Sequence, residues 1–287
     1  MIEVSILITT FNSCRFIRPC LDSIFAQGSR DTEIIVVDNG SSDETVSLIK
    51  NNYPTVKLIT NKENLGACKG RNQAIEIAQS RWFLILDCDV VLEKDFISTM
   101  LACTQKLEEN VGMLQPKILV ADKTRIYSCG IYLSGFRRFY DIGKGKANDD
   151  SFKNPEYIFG VCSAAALYRR EMLEDVKEET GYFDERMFFL VEDVDLSWRA
   201  QKRGWKALFC PQALCYHYGN SCGFNKKLRQ YLCFRNRYYS LKKNEDMIKY
   251  SAKILPLLCY DLPRFLYLFF TNWYVFKSIT GRVLPTR

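Results

Sequence analysis

No G-x-G-x-x-G turn follows the first apolar strand of this chain. TTFNSCR stands there instead, which argues against a dinucleotide-dependent oxidoreductase. The start, MIEVSILITTFNS, lacks a basic n-region and a small-residue cleavage site, so it is read as an opening strand and not as a secretory signal. None of the twelve cysteines forms a Cys-x-x-Cys pair. The grouping Cys210, Cys215, His217 and Cys222 therefore has the wrong spacing for the common zinc folds. Without export, the scattered cysteines read as reduced thiols and not as a disulfide framework. Long apolar runs are missing too. A membrane-spanning helix needs about 20 apolar residues. The best candidate, ILPLLCYDLPRFLYLFF at 254–270, is interrupted by Asp261, Arg264 and two prolines. Internal repeats and low-complexity tracts are absent.

What is present is an ordinary globular composition, 47% hydrophobic and 25% charged, enough for a sizeable core in 287 residues. The net charge of +7 is uneven. Residues 226–253 hold nine basic and two acidic side chains, so the first 225 residues are mildly acidic and the C-terminal segment is basic. Nucleic acid and an anionic membrane surface are the two partners such a segment suggests. Tyr231, Phe234, Tyr238 and Leu241 fall on one helical stripe within it. Its apolar continuation is expected to lie in a membrane interface and not to cross it.

The first hundred residues alternate short apolar strands (4–10, 33–38, 56–60, 82–87) with helices at 14–27, 42–51 and 67–79. Ser42 or Asp43 is the expected cap of the second helix. Such alternation predicts right-handed crossovers and a parallel sheet, with ligands at the carboxyl ends of the strands. From about residue 111 the pattern becomes α+β. Strand-like pieces occur at 112–119, 125–140 and 157–168, a helix at 192–203, and strands at 206–209 and 213–217.

Asp87-Cys88-Asp89 closes the strand WFLIL. Residues two apart in an extended chain face the same way, so both carboxylates point into one cleft while Cys88 points to the core. Two hard oxygen ligands suit Mg²⁺ or Mn²⁺, with the remaining positions left to water and phosphate oxygens. A second pair, Glu192-Asp193, opens a helix. Arg71 lies early in another helix, where its charge and the helix dipole would favour a bound nucleotide.

The segments VSILITTFN, EIIVVDNGSSDET, NKENLGACKGRNQAI and FLILDCDV resemble, in order and spacing, the nucleotide-binding half of family 2 inverting glycosyltransferases. FGVCSAAALYRREML, GYFDERMFFLVEDVDLSWRAQKRGW, CPQALCYHYGNS and RNRYYSLKKN are similar to later segments of the rhamnosyltransferase-like branch. The resemblance implies an α/β GT-A fold, with a Rossmann-like, mostly parallel central sheet flanked by helices and a C-terminal helical extension. It implies a nucleotide-sugar half at 1–110, an acceptor half at 111–225 and a membrane-peripheral tail at 226–287. By the same resemblance, Thr9, Thr10 and Asp38 contact base and ribose, with Asp38 accepting from the base N–H. Asp87 and Arg71 serve the nucleotide. Asp87, Asp89 and His217, the sole histidine, hold the metal. Asp193 is the base that takes the acceptor hydroxyl proton, and Glu192 contacts the acceptor or orients its loop. The implied donor is dTDP-rhamnose, or a UDP-hexose or UDP-HexNAc. The implied acceptor is a glycan, carried on a lipid at the cytoplasmic face of a cell membrane. No nucleic-acid partner is expected.

Overall fold

The computed structural model describes residues 2–28, 31–105, 107–219, 223–246 and 257–279. Cys222 and the stretch 247–256, where the basic segment ends and the long apolar run begins, lie outside the described residues.

Strands β1 (Val4–Thr10), β2 (Thr32–Asp38), β3 (Lys57–Thr60) and β4 (Trp82–Asp87) alternate with helices α1 (Cys14–Phe25), α2 (Thr45–Asn52) and α3 (Gly66–Ile77). β1 is parallel to β2 and β4, and β2 is parallel to β3. Strands buried on both faces read as continuous apolar runs. Ile6 and Ile8 of β1 pack with Ile17, Leu21 and Ile24 of α1, whereas Leu7 packs on the opposite face with Ala74 and Ile75 of α3. The spatial order β4-β1-β2-β3 reverses the direction of travel at β1, so the carboxyl ends of β1 and β4 flank a switch point. The register sets Thr9 beside Asp87 and Thr10 beside Asp38.

The second half extends the same sheet. β11 (Ala165–Arg169) runs antiparallel between β4 and β6 (Val111–Val120), and β12 (Lys206–His217) is parallel to β6. The two strands predicted at 206–209 and 213–217 are one strand with a bulge between Cys210 and Leu214, where Pro211 has no N–H for the ladder. Strand β5 (Val90–Leu92) pairs antiparallel with β12 and aligns His217 with Val90, which carries the histidine to the turn after β4. Neither Ser42 nor Asp43 is the cap of α2. That helix begins after Glu44, and Asp43 instead accepts from the backbone N–H of Thr45 and of Cys14, tying the starts of α1 and α2 together.

Helix α6 (Glu192–Lys202) packs against α7 (Lys226–Asn244), whose Tyr231, Leu232 and Leu241 are buried. The predicted aromatic stripe of α7 thus serves packing on the α/β body. Part of its basic charge is also used internally: Lys243 pairs with Asp184 and Asp195 at 2.9 Å each, and Arg237 with Asp261 at 2.7 Å. Helices α8 (Leu262–Thr271) and α9 (Trp273–Ile279) follow. Among the described residues, no helix is long and apolar enough to cross a membrane.

Candidate active site

A cavity of about 630 Å³ opens at the switch point, walled by residues of both halves. Asp87 ends β4 and Asp89 follows in the turn, while Cys88 is buried in the core between them. His217 Nε2 lies 3.0 Å from an Asp89 oxygen and 3.9 Å from one of Asp87, and the three ligand atoms fall within 4.8 Å of one another. Neighbouring ligands on an octahedral ion with bonds of about 2.1 Å sit roughly 3.0 Å apart. Spacing and donor chemistry therefore fit a divalent cation that accepts carboxylate and imidazole together. Burial alone would lower the His217 pKa, but the hydrogen bond to Asp89 and the charges of Asp89 and Asp87 outweigh it and raise it. Tyr127 meets the imidazole edge-on, ring centroids 4.3 Å apart.

Arg71 is buried, and it joins the two acidic groups. Nη1 donates to Glu192, and Nη2 donates to Asp87 at 2.9 Å. Burial would depress its pKa, but Glu192 and Asp87 more than compensate, so it remains a cation. The expected phosphate-facing cation is thus answered by two carboxylates of the protein. Removing one partner of such a buried pair commonly costs about 3–5 kcal/mol. Asp193 stands one residue along. Its carboxylate accepts from the backbone N–H of Ser163 at 3.3 Å and of Val194 at 2.8 Å. Burial, then the charges of Glu192 and Asp141, push its pKa up to about 7. A carboxylate poised near neutrality suits a general base.

Thr9 and Thr10 line the cavity, as the sequence predicts, and the Thr10 hydroxyl is buried without a hydrogen-bond partner. Asp38 is placed differently. It is buried, and its two oxygens accept from the Ser41 N–H and hydroxyl, while its neighbour Asn39 lines the cavity. A turn role therefore occupies this carboxylate in the structure described here.

The segment leading to Glu192 was not legible in the sequence. Phe188, Leu190 and Val191 have φ of 65°, 71° and 73° without a glycine among them. Left-handed conformation at such residues costs on the order of 1–3 kcal/mol each and persists only where surroundings enforce it. On one side the Phe188 carbonyl accepts from Cys68 N–H at the start of α3, at 3.2 Å. Gly66 makes this approach possible: a Cβ there would lie 2.6 Å from the Phe188 carbonyl oxygen. On the other side the Asn236 amide of α7 donates to the carbonyls of Met187, Phe189 and Leu190 at 2.9, 2.9 and 2.7 Å.

This architecture, an extended parallel sheet with a carboxylate pair at the switch point, is the GT-A fold of glycosyltransferases. It is similar to the structure of GalNAc-T7 with UDP, GalNAc and Mn²⁺, with a TM-score of 0.61 at 15% identity over 75% of this chain and 43% of that one. Residues 5–177 match the model of glycosyl transferase family 2, and the chain belongs to that family. It is 24% identical over 269 residues to the amylovoran biosynthesis glycosyltransferase AmsB of Erwinia amylovora, covering 89% of this chain and 84% of that protein. It is 26% identical over 218 residues to the poly-beta-1,6-N-acetyl-D-glucosamine synthase of Staphylococcus aureus, covering 74% of this chain and 49% of the relative, so it spans about half of that protein.

Proposed function

We propose that the protein transfers a sugar, with inversion, from a nucleoside diphosphate donor to a hydroxyl of a glycan acceptor in cell-surface polysaccharide synthesis. The observation that carries this reading is the convergence on one cavity of the Asp87, Asp89 and His217 group with Asp193, whose pKa is pushed up to about 7. Asp87, Asp89 and His217 would hold Mg²⁺ or Mn²⁺, which would supply positive charge to offset that of a leaving diphosphate. Thr9 and Thr10 line the nucleotide end of the cavity. Asp38 shapes the turn beside it, and its role toward the base rests on the sequence resemblance. Arg71 holds Asp87 and Glu192 in place. Asp193 takes the proton of the acceptor hydroxyl as that oxygen attacks the anomeric carbon, and Glu192 orients the loop and the acceptor.

The sequence resemblance favours dTDP-rhamnose as donor. A UDP-HexNAc is the second reading, favoured by the similarity to the poly-N-acetylglucosamine synthase. A lipid-linked acceptor at an anionic membrane surface is supported by the outer face of α8 and α9. Leu262, Leu266, Tyr267 and Trp273 are exposed there and Phe270 is 78% exposed, with Arg264 and Lys277 nearby. Aromatic and leucine side chains beside cations suit the headgroup boundary. The test is release of nucleoside diphosphate from a donor panel with Mn²⁺ and a lipid-linked glycan acceptor. Acceptor-dependent release from one donor is expected. Release from none of the nucleotide sugars would overturn the reading.

A further inference from the structure

An acidic first turn marks the start of the base helix, but nothing local explains the backbone that leads into it. Val191, the residue that precedes it, is β-branched and left-handed at φ 73°, and no side chain caps the helix. Such a residue is an outlier that the surroundings must hold. The holding groups come from far away in the chain. Asn236 is fully buried, 46 residues beyond Leu190, and its amide NH₂ shares its two hydrogens among the carbonyls of Met187, Phe189 and Leu190. Its own oxygen is fixed by Arg235 Nε at 3.0 Å, which orients the NH₂ toward the loop. Arg235 also donates to the carbonyls of Arg186 and Met187 at 3.0 and 2.9 Å. These donors satisfy carbonyls that the irregular backbone leaves without a ladder.

We infer that Asn236, with Arg235 behind it, is a positioning residue for the reaction. It holds the 187–191 loop in the conformation that presents Asp193 to the acceptor, so α7 is part of the catalytic apparatus. This rests on the proposed role of Asp193 as base. Asn236 bonds neither to the Asp87, Asp89 and His217 group nor to Thr9 and Thr10, so nucleotide binding should change far less than turnover. The amide is required for its donor character. An aspartate of the same shape would turn a carboxylate toward three carbonyl oxygens.

The experiment compares the parent with Asn236→Ala and Asn236→Asp in acceptor-saturated turnover, UDP affinity with Mn²⁺, and amide exchange over 187–193. Both variants are expected to lose about tenfold or more in kcat, aspartate more than alanine, with UDP affinity changed less than about twofold. Exchange at 187–193 should quicken about tenfold or more in both. Adding Val191→Gly to Asn236→Ala should return part of the kcat, because glycine adopts positive φ without strain. Parental kcat in Asn236→Ala, or a loss of UDP affinity equal to the loss of kcat, would overturn the inference. If the parent itself transfers no sugar, the functional reading fails. The amide exchange then still decides whether Asn236 holds the loop, and unchanged exchange would overturn the inference by itself.

Discussion

The two carboxylate pairs of the cavity are built in different ways. Asp87 and Asp89 sit at the end of a parallel strand whose place is set by βαβ pattern and sheet register. Glu192 and Asp193 sit after a left-handed loop held by α3 on one side and α7 on the other. The first pair is therefore fixed by local sequence and burial, and the second by contacts between distant segments. Arg71 bonds to both, reaching Asp87 and Glu192. On the proposed function, the difference makes binding of the donor and activation of the acceptor separable, so that damage to one region should leave a recognisable imprint.

The largest effect is expected on the strand-end pair. Excess chelator should abolish transfer and Mn²⁺ or Mg²⁺ should restore it, and Asp89→Asn should weaken metal and nucleotide binding together. Full nucleotide release after exhaustive metal removal would break the comparison at its first term.

Asp193 of the loop-held pair is expected to titrate near neutrality. On the proposed role of Asp193 as base, its carboxylate is the active form, so kcat should rise with pH to a plateau above about 7. Stability runs the other way. The folded pKa is raised above the unfolded value, so the protonated form stabilises the fold. That contribution is present below the unfolded pKa of 3.8 and is lost as pH rises through about 7. Asn at 193 should flatten both profiles over this window. A parental pH profile in Asp193→Asn would show that another group titrates.

The same contrast governs how much could be read from sequence. β4 appears at the predicted bounds, Trp82–Asp87, and α6 within a residue, because hydrophobic period and an acidic first turn are local signals. The clustering of Asp87, Asp89 and His217 follows from strand ends plus one register, and the resemblance anticipated it. The partners of Arg71 could not be read, since Glu192 lies 121 residues away. Nor could the left-handed loop, because Phe188, Leu190 and Val191 carry no glycine to announce positive φ. Asn236 hides in the basic run RNRYYSLKKN, where net charge suggested a surface and burial proved decisive. Asp38 was legible both as a turn former and as a base contact, and the structure displays the turn.

The smallest effect belongs to the outer face of α8 and α9. Phe270→Ser with Trp273→Ser should lower binding to anionic liposomes several-fold and leave kcat on a water-soluble acceptor unchanged, since these side chains lie outside the cavity. Liposome sedimentation measures this. Undiminished binding would remove the membrane role from this face.

The separation of donor binding from acceptor activation is tested most directly by Asp193→Asn, measured for single-turnover transfer and for UDP affinity with Mn²⁺. The account predicts a rate loss of about 10²–10⁴-fold, with affinity changed by less than about twofold and a smaller rate loss in Glu192→Gln. Near-parental transfer by Asp193→Asn, with the rate lost instead in Glu192→Gln, would contradict it and move the base to Glu192.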